Sequence, residues 1–336
     1  MGTLPVIVGL DYSDRAVQVC VLDQEGKVVG NRACANDWQE IVKFAQSRGQ
    51  VVRSAIESCS GAAALADELV ARAGWHVDLA HPGYVARMKQ SPDKTDYQDA
   101  RLIADLERVG YLPRVWLAPE PIRDLRRLVR YRQQLVDQRK AVKLRIRALL
   151  REQRCRPPAE VNAWTRAWLA WAEQAAAVSE HSRWIMARHV EELQRVGKDI
   201  KEAEKRLAEA TANDPVVGTL RQQKGIGPVT SWTFRAEIGR FDRFRTGKQL
   251  ARFCGTSPRN ASSGDRVADA GLIRAASPTL RATVIEAAHR LIRTDPVWAQ
   301  LAARLLGRGK PKCVVVAAVA NRWIRKLYHQ MVSQAA

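Results

Sequence analysis

Four carboxylates stand where a phosphodiester chemistry could be assembled. Asp11 ends the apolar run Val6-Ile7-Val8-Gly9-Leu10, and Glu57 ends a second, Ala55-Ile56. Asp96 and Asp99 lie three apart in Lys94-Thr95-Asp96-Tyr97-Gln98-Asp99-Ala100-Arg101, which puts both on one face of a helix. Hard oxygen donors of this kind suit Mg²⁺ or Mn²⁺. Two such ions clamp the attacking and leaving oxygens of a phosphodiester. Each acid alone reads equally as a cap or a solvated surface group. Their joint placement, at two strand ends and one helix, gives the pattern its chemistry.

Two further segments carry chemistry of a weaker kind. Lys224-Gly225-Ile226-Gly227-Pro228 separates two helical stretches and resembles a helix-hairpin-helix turn, whose glycines and amides admit a phosphate. The alternative is a plain interhelical turn. Ser262-Ser263-Gly264 follows Pro258-Arg259 in a polar loop, with Arg259, Arg266 and Arg274 available to neutralise a phosphate. A loop serine is by default a turn residue. The six histidines form no HExxH or HxH pattern, and no GxxxxGK[ST] loop occurs, which argues against a zinc hydrolase or P-loop ATPase.

The elements that must position these groups fall into three stretches. Residues 1–115 read as an α/β domain. Val17, Val19 and Val21 alternate as a strand, 37–47 and 62–73 repeat as helices, and 51–57 and 76–80 are strands. Past Pro82 a helical pattern runs on to Leu106. Residues 116–213 read as a basic helical hairpin. Leu128, Leu135, Val142 and Leu149 recur every seven residues, Pro157-Pro158 breaks the run, and Trp164, Trp168 and Trp171 follow. A second heptad run places Met186, His189, Leu193, Val196, Ile200, Ala203, Leu207 and Ala210 along one seam, as in an antiparallel or dimerising coiled coil. Residues 214–336 read as all-α, with 255–271 a polar loop.

Charge separates these stretches. The chain of 336 residues carries a net charge of +20, yet residues 1–112 hold 12 basic and 15 acidic side chains. Residues 114–156 alone hold 14 Lys and Arg against 4 acids. Such an excess favours a polyanion, because neutralising its phosphates releases condensed counterions. With 46% of residues hydrophobic, the chain is no disordered basic tail. The apolar run Val314 to Ala320 is far short of the roughly 20 residues that span a bilayer. Residues 1–10 lack a signal-peptide pattern. Cys20, Cys34, Cys59, Cys155, Cys254 and Cys313 are scattered without a CxxC, and read as reduced, mostly buried thiols of a cytosolic protein.

In this order the motifs resemble the insertion-sequence transposases that join a RuvC-like DEDD domain to a serine-bearing transposase domain, a group that includes the pilin-gene invertases. The resemblance runs through Gly9-Leu10-Asp11, Ile56-Glu57, Lys94-Thr95-Asp96 with Asp99-Ala100-Arg101, and Lys224-Gly225-Ile226-Gly227. It continues through Gln249-Leu250-Ala251 and Ser257-Pro258-Arg259 to Ser263-Gly264. It implies an RNase H-like (RuvC-like) α/β domain, a central coiled-coil hairpin, and an all-α C-terminal domain with a helix-hairpin-helix. Asp11, Glu57, Asp96 and Asp99 would bind Mg²⁺ or Mn²⁺, and Ser263 would be the nucleophile. Nucleic acid would be held by Lys224, Gly225, Gly227, Arg259, Arg266 and Arg274, with Arg126, Arg130, Lys143 and Arg147 on the basic helix. The implied partners are donor and target DNA, a structured noncoding guide RNA that bridges them, and further copies of the chain, as a dimer assembling to a tetramer. The implied location is the prokaryotic cytoplasm, at the nucleoid. Asp265, Asp269 and Ala275-Ala276-Ser277 depart from the family's basic, Gly-containing stretch, with Arg274 in the place of its lysine.

The same residues admit other readings. A metal-dependent Holliday-junction-type nuclease would use the carboxylates and leave Ser263 in a turn, and a DNA invertase could be guided by protein alone. A sugar-kinase or actin-like fold opens with a similar Gly-x-Asp strand but needs further phosphate loops, which the sequence lacks. A non-catalytic nucleic-acid-binding protein would need only the basic body.

Overall fold

The computed structural model describes residues 4–89, 95–174, 178–262, 264, 269–273 and 276–334. The chain divides into two compact units, Met1–Ala118 and Pro119–Ala336.

The first unit contains β1 (Pro5–Tyr12), β2 (Ala16–Leu22), β3 (Val28–Ala35), α1 (Trp38–Gln46), β4 (Gln50–Glu57), α2 (Ala62–Ala73) and β5 (Val77–Ala80). It closes with α3 (Pro82–Met88), α4 (Asp96–Arg108) and the short β6 (Arg114–Val115). The strands form one six-stranded sheet in the order β3-β2-β1-β4-β5-β6. Strands β1, β2 and β3 pair antiparallel, β4 lies parallel to β1 and β5 parallel to β4, and β6 is antiparallel at the edge.

Alternation along the strands sorts the side chains into two layers. Val6, Val8, Leu10, Val17, Val19, Val21 and Ile56 point to the face covered by α1 and α2, where Ile41, Phe44, Leu65 and Leu69 complete the core. Cys20 and Leu22, with Ala55 and Ala80, point to the other face, where α4 lays down Ala100, Ile103 and Ala104. Asp37 starts α1 by accepting from the amides of Gln39 and Glu40, and Thr95 caps α4 through the amide of Gln98. The helical pattern expected from Pro82 to Leu106 is two helices, broken after Met88, with residues 90–94 outside the described ones.

Where α4 ends, Glu107 is wholly buried, and both its oxygens accept from Arg114 Nη2 at 2.9 Å. Arg53 stands farther off at 3.9 Å, and Asp78 takes the Arg114 Nε–H. Burial pushes the Glu107 carboxyl above the usual range, and the Arg114 hydrogen bonds only partly restore it. A raised folded-state pKa means that the folded chain holds this proton more tightly than the unfolded one. Ionisation therefore costs stability at neutral pH, and that cost is lifted as pH falls through the folded pKa. Arg114→Met should destabilise the unit by roughly 1–2 kcal/mol at neutral pH, less than the loss of a fully buried pair because the Arg114 side chain is itself 42% exposed and screened by solvent. Urea unfolding should show the gap from wild type narrowing towards acid; a gap independent of pH would contradict this account.

The second unit holds α5 (Glu120–Glu152), α6 (Arg166–Gln174), α7 (Glu180–Ala210), α8 (Pro215–Gln222), α9 (Pro228–Ile238) and α10 (Gly247–Phe253). A ribbon of β7 (Pro258–Asn260) and β8 (Asp269–Leu272) follows, then α11 (Pro278–Thr294), α12 (Pro296–Gly307) and α13 (Lys312–Ser333). The expectation of an all-α C-terminal region is corrected by that ribbon, which pairs Asn260 with Asp269 inside the segment read as loop.

Helices α5 and α7 run antiparallel. Leu125 and Val129 share a cluster with Leu207, Leu135 packs with Val196 and Ile200, and Val142 and Ile146 meet Met186, Val190 and Leu193. Val190, and not His189, is buried in this seam, and Leu150 replaces Leu149, because helix periodicity slips against a strict seven-residue repeat. At the root of the pair, Trp232 and Ala236 of α9 join Leu125 and Val129. Helix α9 is buried on nearly every side, with Phe234 wholly enclosed and its ring 6.0 Å from Trp323. Of the cysteines, Cys20, Cys34 and Cys254 are buried, but Cys59 and Cys313 are exposed. No helix among the described residues is long and apolar enough to cross a membrane.

Candidate active site

Strand register decides which carboxylates can meet. Leu10 is level with Ile56 in the parallel pair of β1 and β4, so Asp11 and Glu57 are the next residues of adjacent strands. Both share a face with Gly9 and Ala55, two positions before them, and that face is the one α4 covers. Asp96 and Asp99 sit in the first turn of α4. The close approach of this helix is set by Gly9: a Cβ there would fall 2.5 Å from the Ala104 amide nitrogen and closer still to the Ala100 carbonyl oxygen. The sheet and helix α4 thus bring Asp11, Glu57, Asp96 and Asp99 to one face of the first unit.

Their surroundings differ. Asp11 and Glu57 are half-buried, Asp96 is exposed, and Asp99 is buried at 6% exposure. The Lys89 ammonium, just past α3, lies 2.6 Å from Asp99 Oδ1. Cys59 reports the local potential. Although the residue is exposed, partial desolvation of its sulfur is the leading cause that raises the thiol pKa, and Glu57, Asp11 and Asp14 add to it.

Two polar residues that sequence reasoning passed over fix the helix start. Gln18, level with Asp11 on β2, donates to Asn31 Oδ1 at 2.7 Å. Asn31 on β3 in turn donates to the carbonyl of Tyr97 at 3.1 Å. This relay crosses the sheet to the backbone between Asp96 and Asp99. Its only sequence signal is a pair of amides on strands that otherwise, Arg32 aside, read as apolar and small.

The donor set fits a hard divalent cation, since all four groups are carboxylates with neither imidazole nor thiolate among them. Among the described residues no three potential ligands stand close enough together to hold one ion. The cationic charge beside Asp99 is that of Lys89.

In the second unit, Ser263, Arg266 and Arg274 lie outside the described residues. Their loop is anchored at both feet by side chains the sequence did not single out. Arg281 of α11 donates to the carbonyls of Gly255 and Ile273, and Asn321 of α13 donates to Thr256 O at 3.2 Å. Ser262 is exposed, with its amide donating to Asn260 Oδ1 at 2.7 Å, and Gly264 adopts a left-handed φ of 55°. Arg259 is exposed on β7.

Gly225 takes a φ of +86° in the turn between α8 and α9, and Gly227 caps α9 ahead of Pro228. Lys224 is paired with Asp295 at 3.3 Å. On α5, Arg126 donates to Ala236 O at 3.0 Å and Arg130 grips both oxygens of Glu237 at 2.9 and 3.2 Å. These two arginines therefore dock α5 on α9. Lys143 and Arg147 instead stand over the ring of Trp164, at 4.7 and 5.1 Å.

The chain is similar to known transposases. Residues 8–154 match a family model for DEDD transposases of the IS110 type, described as a transposase. Residues 218–303 match the transposase IS116/IS110/IS902 family. The chain is 26% identical over 323 residues to the transposase for insertion sequence element IS1111A of Coxiella burnetii, covering 94% of this chain and 86% of that protein. It is 27% identical over 333 residues to a probable family 20 transposase of Pseudomonas aeruginosa, covering 96% and 95% respectively. A putative transposase y4qE of Sinorhizobium fredii is 27% identical over 282 residues, covering 75% and 68%. Two segments of the chain thus match transposase domains of the IS110/IS116 kind, and with these relatives they support an enzyme that cuts and recombines DNA.

Proposed function

We propose that the chain exchanges DNA strands through two groups of residues: the carboxylates Asp11, Glu57, Asp96 and Asp99 on the sheet, and Ser263 in the loop between β7 and β8. The observation that carries this reading is the register that sets Asp11 beside Glu57 under the first turn of α4. The carboxylates would hold Mg²⁺ or Mn²⁺, which stabilises negative charge developing on phosphodiester oxygens. Ser263 Oγ attacks phosphorus, the bond to the leaving sugar oxygen breaks, and that oxygen takes up a proton. The phosphodiester energy stays in the serine ester, so the strand can be rejoined to a new hydroxyl without ATP. Arg259 on β7, Arg266 between the two strands and Arg274 beyond β8 are the neighbouring cations along the chain, available to neutralise the phosphate.

On this reading the first unit is an RNase H-like domain, in keeping with its mixed sheet order, and Gly225 and Gly227 lie in a helix-hairpin-helix turn that approaches a phosphate. The functional division is the one expected above: 1–115 metal site, 116–213 basic hairpin, 214–336 serine domain. The family resemblance extends the proposal to a noncoding guide RNA, and to a dimer assembling to a tetramer at the nucleoid.

The test is to trap a covalent protein–DNA adduct on a denaturing gel with DNA carrying the element ends. Ser263→Ala should abolish both adduct and joining, while Ser262→Ala keeps them. Cutting by Ser263→Ala without an adduct would leave a metal-dependent nuclease and remove the serine from the reaction. Sequencing of RNA that co-purifies with the chain tests the guide separately.

A further inference from the structure

Helix α5 is divided by what faces its basic side chains. In its first half the arginines are committed to partners within the unit: Arg127 to Glu120 and Asp124, Arg130 to Glu237, Arg132 to Glu204 at 2.7 Å. In the second half, among the described residues, only Arg145 approaches a carboxylate, Glu192, at 3.8 Å. Among the described residues no carboxylate pairs with Arg139, Lys143 or Arg147. These three follow one another every fourth residue, which lines them up along one side of the helix at a rise of about 6 Å per step.

Gathering like charges without a counter-charge is unfavourable, and the chain adds structure to keep them there. Lys143 and Arg147 rest on the Trp164 ring. Trp164 is held in a left-handed backbone conformation, φ 72°, which costs a bulky residue about 1–3 kcal/mol. Trp168, 4.6 Å away, and Trp171 beyond it back the ring. Burial holds Lys143 below the usual lysine range, and Arg139 and Arg147 push it further down. An approaching polyanion relieves this repulsion, and a solvated salt-bridged face would show no such arrangement.

We propose that Arg139, Lys143 and Arg147, held by Trp164 on the outer half of the helical hairpin, grip the phosphate backbone of duplex DNA. The partner is taken as DNA because DNA is what a transposase cuts. The inference rests on that activity, and not on the roles of the carboxylates or Ser263.

The test compares two triple variants of the full chain with equal loss of charge. One is Arg139→Gln, Lys143→Gln and Arg147→Gln. The other is Arg188→Gln, Arg195→Gln and Arg206→Gln on α7, whose arginines each have a carboxylate one turn away in Glu191, Asp199 and Glu202. Binding to a fluorescein-labelled duplex DNA is followed by anisotropy across a salt series. The α5 triple should lower affinity about tenfold or more and flatten the slope of log affinity against log salt by about three, with its melting temperature kept. The α7 triple should change the slope far less. Equal effects of the two triples, or no effect of the first, would overturn the assignment. A loss confined to a structured RNA probe would overturn DNA as the occupant. If the unmodified chain failed to bind duplex DNA at all, the DNA-recombining activity itself would be in question.

Discussion

Asp11→Asn and Glu57→Gln are each expected to lower strand cutting by about 10³-fold or more while leaving the melting temperature close to that of the parent. Both changes keep the shape of the side chain and remove its charge, so packing at the ends of β1 and β4 is preserved. On the proposed reading, what would be lost is the affinity for a cation that stabilises the reacting phosphodiester by several kcal/mol, and each 1.36 kcal/mol is worth about a factor of ten in rate. Mn²⁺ binding, read by paramagnetic relaxation, should fall in parallel. Asp14→Asn is the control. It lies close enough to Cys59 to share the local field, yet it is exposed and outside the row formed by Asp11 and Glu57. If Asp14→Asn were as damaging as Asp11→Asn, the effect would be one of general field and not of ligation. If Asp11→Asn cut at the parental rate, the metal site would have to be sought elsewhere.

The placement of Asp11 and Glu57 was legible in the sequence because it depends on short-range patterns. An apolar run that ends in a carboxylate fixes a strand and its edge, and two such runs in an α/β domain end on the same side when parallel. Asp96 and Asp99 were legible for the same reason, through the helical spacing of three. What the sequence did not disclose are contacts whose partners lie far along the chain. Arg126 and Arg130 read as part of a basic helix, but Glu237 faces them from α9 and makes them docking residues. The relay from Gln18 through Asn31 to the Tyr97 carbonyl depends on the pairing of β2 with β3 and on where α4 begins. No local pattern encodes either. Arg281 is a similar case: it clips both feet of the serine loop, although its own neighbourhood reads as an ordinary helix start. The seam of α7 failed more mildly, since a strict heptad chose His189 where the real turn angle buries Val190.

Gly9→Ala is expected to injure both stability and catalysis, although alanine is an ordinary strand residue and changes no charge. Gly9 has no need of a glycine-only backbone conformation; its requirement is space. The added Cβ would meet the Ala100 carbonyl oxygen and, at 2.5 Å, the Ala104 amide nitrogen, both backbone atoms of α4 that cannot rotate aside. Helix α4 must therefore move outward by roughly 1 Å to restore ordinary contact, and overpacking of this kind costs about 1–3 kcal/mol. The same movement carries Asp96 and Asp99 away from Asp11 and Glu57, and a misplacement near 1 Å can cost about 10²-fold in rate. Three measurements should therefore change together: the melting temperature falls, Mn²⁺ affinity falls, and strand cutting drops about 10²-fold. Ala104→Gly in the same chain should restore none of them, because removing the Ala104 methyl leaves both backbone obstacles in place. Parental stability and cutting in Gly9→Ala would show that α4 does not press on β1, and would separate its two aspartates from the site at the sheet edge. A loss of stability with Mn²⁺ affinity intact would keep the packing and dismiss the aspartates as ligands. The strand residue without a side chain is thus the most economical probe of whether sheet and helix together make the metal site.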